Sequence, residues 1–172
     1  MTLIDSAQIA RRVSELAADL RRDAGPDTPL HLVAVLQGAF VFLADLIRAM
    51  EGPVTCDFIA LSSYGAATTS SGEVRLTKDL DHGIEGRHVV IVEDIVDTGF
   101  TLTYLQEILR ARAPRTLRTV CLLSKPARRH ADVVVDYVGF SIDDQFVVGY
   151  GLDFDEHYRQ LPHIAVLDGV RA

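Results

Sequence analysis

Residues Val89 to Thr101 read VVIVEDIVDTGFT. The first four are apolar and predict a short buried strand. Two carboxylates, Glu93 and Asp94, follow side by side at its expected end. The next five residues, Asp97-Thr98-Gly99-Phe100-Thr101, form a turn that opens a helix running to about Arg112. Such a turn suits a phosphate: it offers free backbone N–H groups at a helix N-terminus, a glycine that permits close approach, and two hydroxyls. Glu93 and Asp94 would repel a phosphate in direct contact. They are better suited to accept hydrogen bonds from a sugar diol, directly or through a divalent cation. A capped helix with acidic residues nearby would account for Asp97 and Thr98. It would not account for two adjacent carboxylates closing a buried strand.

Outward from this stretch the same rhythm repeats. Leu30–Leu36 is an apolar run that leads through Gly38 into a helical stretch, Phe40–Met50, and Val54–Leu61 and Thr119–Leu123 are further apolar runs. Nearer the N-terminus, Ile9, Val13, Leu16 and Leu20 recur at helical spacing after Asp5 and Ser6, which can cap, and Gly25-Pro26 breaks that helix. Short apolar runs alternating with helices predict an α/β fold, a doubly wound, mainly parallel sheet flanked by helices, with ligands at the carboxyl ends of the strands. All 172 residues fit one domain. Two segments break the pattern. Residues 63–73 (SYGAATTSSGE) are small and polar, as expected of a surface loop or of a lid over reactants. Tyr137–Ser141, Phe146–Tyr150 and Ile164–Leu167 are short and are expected to build a small hood subdomain over residues 137–172.

The composition narrows the function. The net charge of -7 disfavours nonspecific binding to nucleic acid or anionic membranes. No apolar run reaches membrane-spanning length and the N-terminus has no signal core, so a cytoplasmic protein is expected. Cys56 and Cys121 read as small core residues rather than a disulfide. The six histidines show no ligand spacing, and no zinc or nucleophilic role is assigned to them.

VVIVEDIVDTGFT resembles the phosphoribosyl diphosphate motif of type I phosphoribosyltransferases. Leu36-Gln-Gly-Ala-Phe40, Ser63-Tyr64, Leu122-Leu-Ser-Lys125, Val138-Gly-Phe140 and Phe146-Val-Val-Gly-Tyr150-Gly-Leu-Asp153 are similar, in the same order, to the hypoxanthine-guanine phosphoribosyltransferase family. The resemblance implies the type I phosphoribosyltransferase fold and transfer of a 5-phosphoribosyl group from phosphoribosyl diphosphate to N9 of hypoxanthine or guanine, giving IMP or GMP. It implies that Glu93 and Asp94 contact the ribose, that Asp97 to Thr101 cradle the 5-phosphate, and that Asp97 is the general base near purine N7. It further implies that Lys125, Phe146, Val147 and Asp153 bind the purine. Gln37, Gly38 and Arg159 would face the diphosphate, and Ser63 and Tyr64 would belong to the lid. Mg²⁺ is the implied cofactor, held by Glu93, Asp94 and Asp153, and a homodimer or homotetramer the implied assembly. The charge-poor helix after Gly38 suits such an interface. Two positions depart from the pattern: Gln37 stands where a basic residue is common, and Phe100 where a polar one is. Alternatives in other classes are a phosphoribosyl diphosphate sensor of the same fold, a phosphoribosyltransferase for adenine, xanthine or a pyrimidine, and a receiver-like signalling domain, which leaves DTGFT unexplained.

Overall fold

The computed structural model describes residues 1–63, 74–167 and 169. Its elements are β1 (Thr2–Ile4), α1 (Ser6–Ala24), β2 (Leu30–Leu36), α2 (Phe40–Ala49), β3 (Val54–Ser63), β4 (Val74–Lys78), β5 (His88–Val96), α3 (Phe100–Arg110), β6 (Thr116–Ser124), a 3₁₀ turn (Pro126–Arg128), β7 (Tyr137–Ser141), β8 (Val147–Val148) and β9 (Ile164–Val166).

The main sheet runs β4-β3-β2-β5-β6-β7, and only the edge strand β4 is antiparallel to its neighbour. The doubly wound, mainly parallel sheet read from the sequence is therefore observed. Even-numbered residues of β2 (Leu30, Leu32, Ala34) join the core under α1 and α2; Val33 and Val35 join a second core with Leu102, Leu105 and Leu109 of α3. Burial on both faces is what makes these strands continuous apolar runs. Strand order reverses between β2 and β5, so a crevice opens at their carboxyl ends.

The first helix forms as its sequence predicts. Asp5 caps it and Gln8 returns the bond to the Asp5 N–H, while Ile9, Val13, Leu16 and Leu20 are buried. Its last turn is fastened by Arg21, only 9% exposed, whose guanidinium donates to the carbonyl oxygens of Gly25, Thr28 and Pro53 at 3.2, 2.7 and 3.2 Å. A cation among carbonyls at a helix C-terminus also meets the negative end of the helix dipole.

Three expectations are corrected. Tyr137–Ser141 belongs to the main sheet rather than the hood, because reciprocal hydrogen bonds between Asp136 and Thr119 (3.0 and 2.7 Å) clamp the start of β7 to β6. The hood sheet is β1-β9-β8, with the N-terminal strand as a member that the sequence reading did not foresee. Cys121 is buried but Cys56 is exposed, since strand alternation turns Asp57 inward at that point, where its carboxylate accepts from the N–H groups of Phe58, Asp81 and His82. The lid expected at Ser63 and Tyr64 falls almost entirely on residues 64–73, outside the described residues; the Ser63 backbone closes β3. No helix among the described residues is long and apolar enough to cross a membrane.

Arg21→Ala would remove three hydrogen bonds at the end of α1, leaving the Thr28 carbonyl without a partner among the described residues while those of Gly25 and Pro53 keep the N–H groups of Thr28 and Leu30. It should lower unfolding free energy by about 2–4 kcal/mol in denaturant titrations, with catalytic constants of the folded protein unchanged, because Arg21 touches no loop of the crevice.

Candidate active site

The crevice begins where β5 loses one of its neighbours. Pairing with β2 stops at Ala34–Val92, whereas pairing with β6 continues to Val96–Ser124. Glu93 and Asp94 lie in this half-paired stretch, and the strand expected to end with them runs on to Val96. Glu93 is 7% exposed, and its carboxyl group makes no hydrogen bond among the described residues. Burial, reinforced by the neighbouring charge of Asp94, pushes Glu93 well above the usual carboxylate range. Burial also pushes Asp94 up to about 6, although the Ile95 N–H, 2.7 Å from Oδ1, works against that rise.

The neighbouring loop is shaped to this pair. The Leu36–Gln37 peptide is cis. A Cβ at Gly38 would lie 1.6 Å from Asp94 Oδ2, so only glycine lets that loop pass. The Gly38 carbonyl abuts Gly151 of the hood. Gln37 Oε1 accepts from Arg159 at 3.2 Å; Arg159 also donates to Gly151 O at 2.8 Å and pairs with Asp153 at 3.0 Å. Gln37, Gly38, Asp153 and Arg159, four residues singled out from sequence, are thus brought together. The loop that carries Asp153 and Arg159 holds Asp155, Glu156 and Tyr158 at φ 50, 64 and 79, left-handed values that non-glycine residues adopt at a cost.

On the other side of the acidic pair is a cavity of about 210 Å³, lined by Val35, Glu93, Asp94 and the loop Asp97–Thr101. Gly99, at φ 90, opens α3 without a side-chain cap. The N–H groups of Thr98, Gly99, Phe100 and Thr101 have no hydrogen-bond partner among the described residues, as an anion-binding helix start requires. The loop is braced from behind: Arg129 Nε donates to Asp97 O at 3.2 Å, and Thr98 O accepts from the N–H groups of His130 and Ala131. Phe100 is 54% exposed and stacks near His130, so its side chain does not enter the cradle.

Lys125 follows β6, is 4% exposed, and its backbone N–H is tied to Val96 O. Phe146 meets Phe154 edge to face, with centroids 5.5 Å apart, and Val147 is buried in β8. Two residues that sequence reasoning missed connect these parts. Arg128 Nε stands 3.0 Å from Asp97 Oδ1, and Asp144 lies 3.4 Å from Arg128 and 3.7 Å from Lys125. Neither has a sequence signal, since each matters only through a partner far along the chain.

A strand that carries a buried acidic pair, a free helix start and a glycine loop form one crevice at the switch point. Residues 2–155 match the family model of the phosphoribosyl transferase domain. The chain is also 48% identical over 165 residues to a hypoxanthine-guanine phosphoribosyltransferase of Bacillus subtilis, covering 96% of this chain and 91% of that protein. The chain belongs to the hypoxanthine-guanine phosphoribosyltransferase family. A second relative of the same name, from Mycobacterium avium, is 50% identical over 171 residues (96% of this chain, 84% of that protein). The crystal structure of a hypoxanthine-guanine phosphoribosyltransferase from Bacillus anthracis, with a HEPES molecule in its active site, superposes with a TM-score of 0.92 at 47% identity, covering 97% of this chain and 98% of that one. Among the described residues of this phosphoribosyltransferase chain no three His, Cys, Asp or Glu side chains converge as a self-sufficient metal site. The oxygen donors of the acidic pair fit a hard cation that takes its remaining ligands from substrate and water.

The buried acidic pair costs the ligand-free phosphoribosyltransferase stability. Asp94 is pushed up to about 6 in the folded chain, from an ordinary 3.8. The folded state therefore bears a penalty above pH 6, relieved as pH falls from 6 towards 4 and the folded protein takes up the proton first. Asp94→Asn should raise stability at pH 7.5 by roughly 1–3 kcal/mol, with the gain fading towards pH 4. Unfolding of ligand-free wild type and variant at both pH values checks this.

Proposed function

We propose that this chain is a purine-salvage pentosyltransferase, a single domain that moves the 5-phosphoribosyl group of phosphoribosyl diphosphate onto N9 of hypoxanthine or guanine, yielding IMP or GMP and diphosphate. The single observation that supports this best is the union, in one crevice, of the buried pair Glu93–Asp94 with the uncapped helix start at Thr98–Thr101.

In this reading the free N–H groups and hydroxyls of the loop hold the 5-phosphate, and Glu93 and Asp94 accept from the ribose hydroxyls. As diphosphate leaves, C1 gains positive character, and buried carboxylates close to it stabilise that charge more strongly than water would. Gln37, Gly38 and Arg159 hold the diphosphate end. Mg²⁺, bound through Glu93, Asp94 and Asp153 together with substrate oxygens, would neutralise charge on the leaving group. The nearly buried ammonium of Lys125 donates to the O6 carbonyl of the base, Phe146 stacks on the ring, and Val147 reads its edge through the backbone. Asp97 takes the proton from N7 as N9 bonds to C1, relieving the ring of positive charge. The segment around Ser63 and Tyr64 closes over the reactants. The protein works in the cytoplasm as a homodimer or homotetramer. An apolar hollow of about 670 Å³ beside Phe40, Val41, Tyr150 and Pro162 supports a subunit contact, and static light scattering tests it.

Asp97→Asn should retain nucleotide affinity and lose about 10²-fold or more in kcat; a near-normal kcat would remove Asp97 from the proton transfer. Lys125 is a pure donor and adenine presents an amino donor at position 6. An unsatisfied buried group costs about 1–3 kcal/mol, so adenine should be used at least ~10-fold less efficiently than hypoxanthine. Initial rates with each base decide this, and efficient adenine turnover would exclude the assignment of Lys125.

A further inference from the structure

Lys125, Asp144, Arg128 and Asp97 form an alternating row of charges. Lys125 Nζ is 3.7 Å from Asp144 Oδ1, Asp144 Oδ1 is 3.4 Å from Arg128, and Arg128 Nε is 3.0 Å from Asp97 Oδ1. The two ends are the groups assigned above to O6 and N7–H of the base. The two middle groups imitate that edge of a 6-oxopurine: an N–H faces Asp97, and a carboxylate oxygen faces Lys125, in the order in which the base offers N7–H and O6.

We propose that Arg128 and Asp144 form an autoinhibitory ion-pair relay that occupies the purine-reading groups in the ligand-free enzyme, and that the base binds by exchange for it. The proposal rests on the assignment of Asp97 and Lys125 to the base. Three observations support exchange rather than permanent bracing. Asp97 Oδ1 is closed off from solvent yet has no aligned hydrogen bond, although Arg128 is within 3.0 Å. The Lys125–Asp144 separation exceeds hydrogen-bond length. A base that presents an aligned N7–H and a carbonyl thus improves both contacts. Asp144 is the most exposed of the four side chains at 48%, and Arg128 is 30% exposed, beside 38% for Asp97 and 5% for Lys125, so water receives both displaced side chains on release.

Nor are the reading groups held in place by the relay. The Lys125 stem is buried and its N–H is bonded to Val96 O, and the Asp97 carbonyl is fixed by Arg129. Removing the relay frees the two ends without loosening them.

The test is steady-state kinetics of Asp144→Ala, Arg128→Ala and the double variant, at saturating phosphoribosyl diphosphate and magnesium. Partly exposed ion pairs of this kind correspond to about a two- to fivefold change in an equilibrium constant. KM for hypoxanthine and guanine should fall by about that factor in each single variant, and no further in the double variant, because one relay is being removed. KM for phosphoribosyl diphosphate, measured separately at saturating base, should not move. Arg128→Lys, which keeps the charge, should fall between wild type and Arg128→Ala. Unchanged or raised KM for the base in both single variants overturns the relay, and if Arg128→Ala does not fold, Asp144→Ala alone decides. Lys125→Ala separates the two claims. If it raises KM for the base while the relay variants do not lower it, only the relay is wrong; if it leaves that KM unchanged, the base assignment falls and the relay with it.

Discussion

Two adjacent carboxylates, Glu93 buried and Asp94 half-buried, are the constraint around which the rest of the structure is arranged. Glu93 has no hydrogen bond among the described residues, and Asp94 has only its neighbour's N–H. Burial raises the proton affinity of both, and the charge of Asp94 adds to the rise at Glu93, so the pair works against folding at neutral pH. A core that served stability alone would carry valine or isoleucine there, as β5 does one turn of pleat earlier at Val90 and Val92. The pair persists because the switch point needs unpaired strand at that depth: once β2 departs after Ala34, the carboxylates face a crevice rather than a neighbouring strand. The absent Cβ of Gly38 and the left-handed residues of the loop 153–159 are local costs of the same geometry. The acidic pair and most of the left-handed non-glycine residues gather at one end of the sheet.

Legibility in the sequence followed the distance over which each feature is determined. The stretch from Val89 to Thr101 contains strand, acidic pair, turn and helix start within thirteen consecutive residues, so hydrophobic pattern and turn chemistry sufficed. The first helix was equally local, with its cap and apolar stripe both written in residues 5–20. The mistakes arose where partners are remote. Tyr137–Ser141 looks like any short apolar segment, and only the clamp between Asp136 and Thr119 assigns it to the main sheet. The strand Thr2–Ile4 is defined by β9, more than 150 residues away. Cys56 and Asp57 are neighbours in an alternating strand, and the loop at 79–82 that supplies three-dimensional context decides which one turns in. Arg128 and Asp144 were invisible for the same reason, since a charge in a loop reads as a solvated charge until its partner is known.

An acidic chain that handles a highly anionic substrate needs local positive potential without a basic surface. The structure meets this with cations that are already paired: Arg159 with Asp153, Arg128 with Asp97 and Asp144, Lys125 with Asp144. A bare cluster of cations would attract any polyanion, nucleic acid included. A paired cluster presents little net charge to solvent and yields only to a ligand whose groups replace the internal partners with better geometry. Half-exposed ion pairs are weak, about 0–1 kcal/mol, so the threshold they set is low for a matching ligand that forms several aligned bonds at once, and high for a diffuse anion that forms none. On the assignments proposed for Lys125, Asp97 and Arg159, selectivity for a shaped substrate would arise from this pairing, which is compatible with a net charge of -7 over the whole chain.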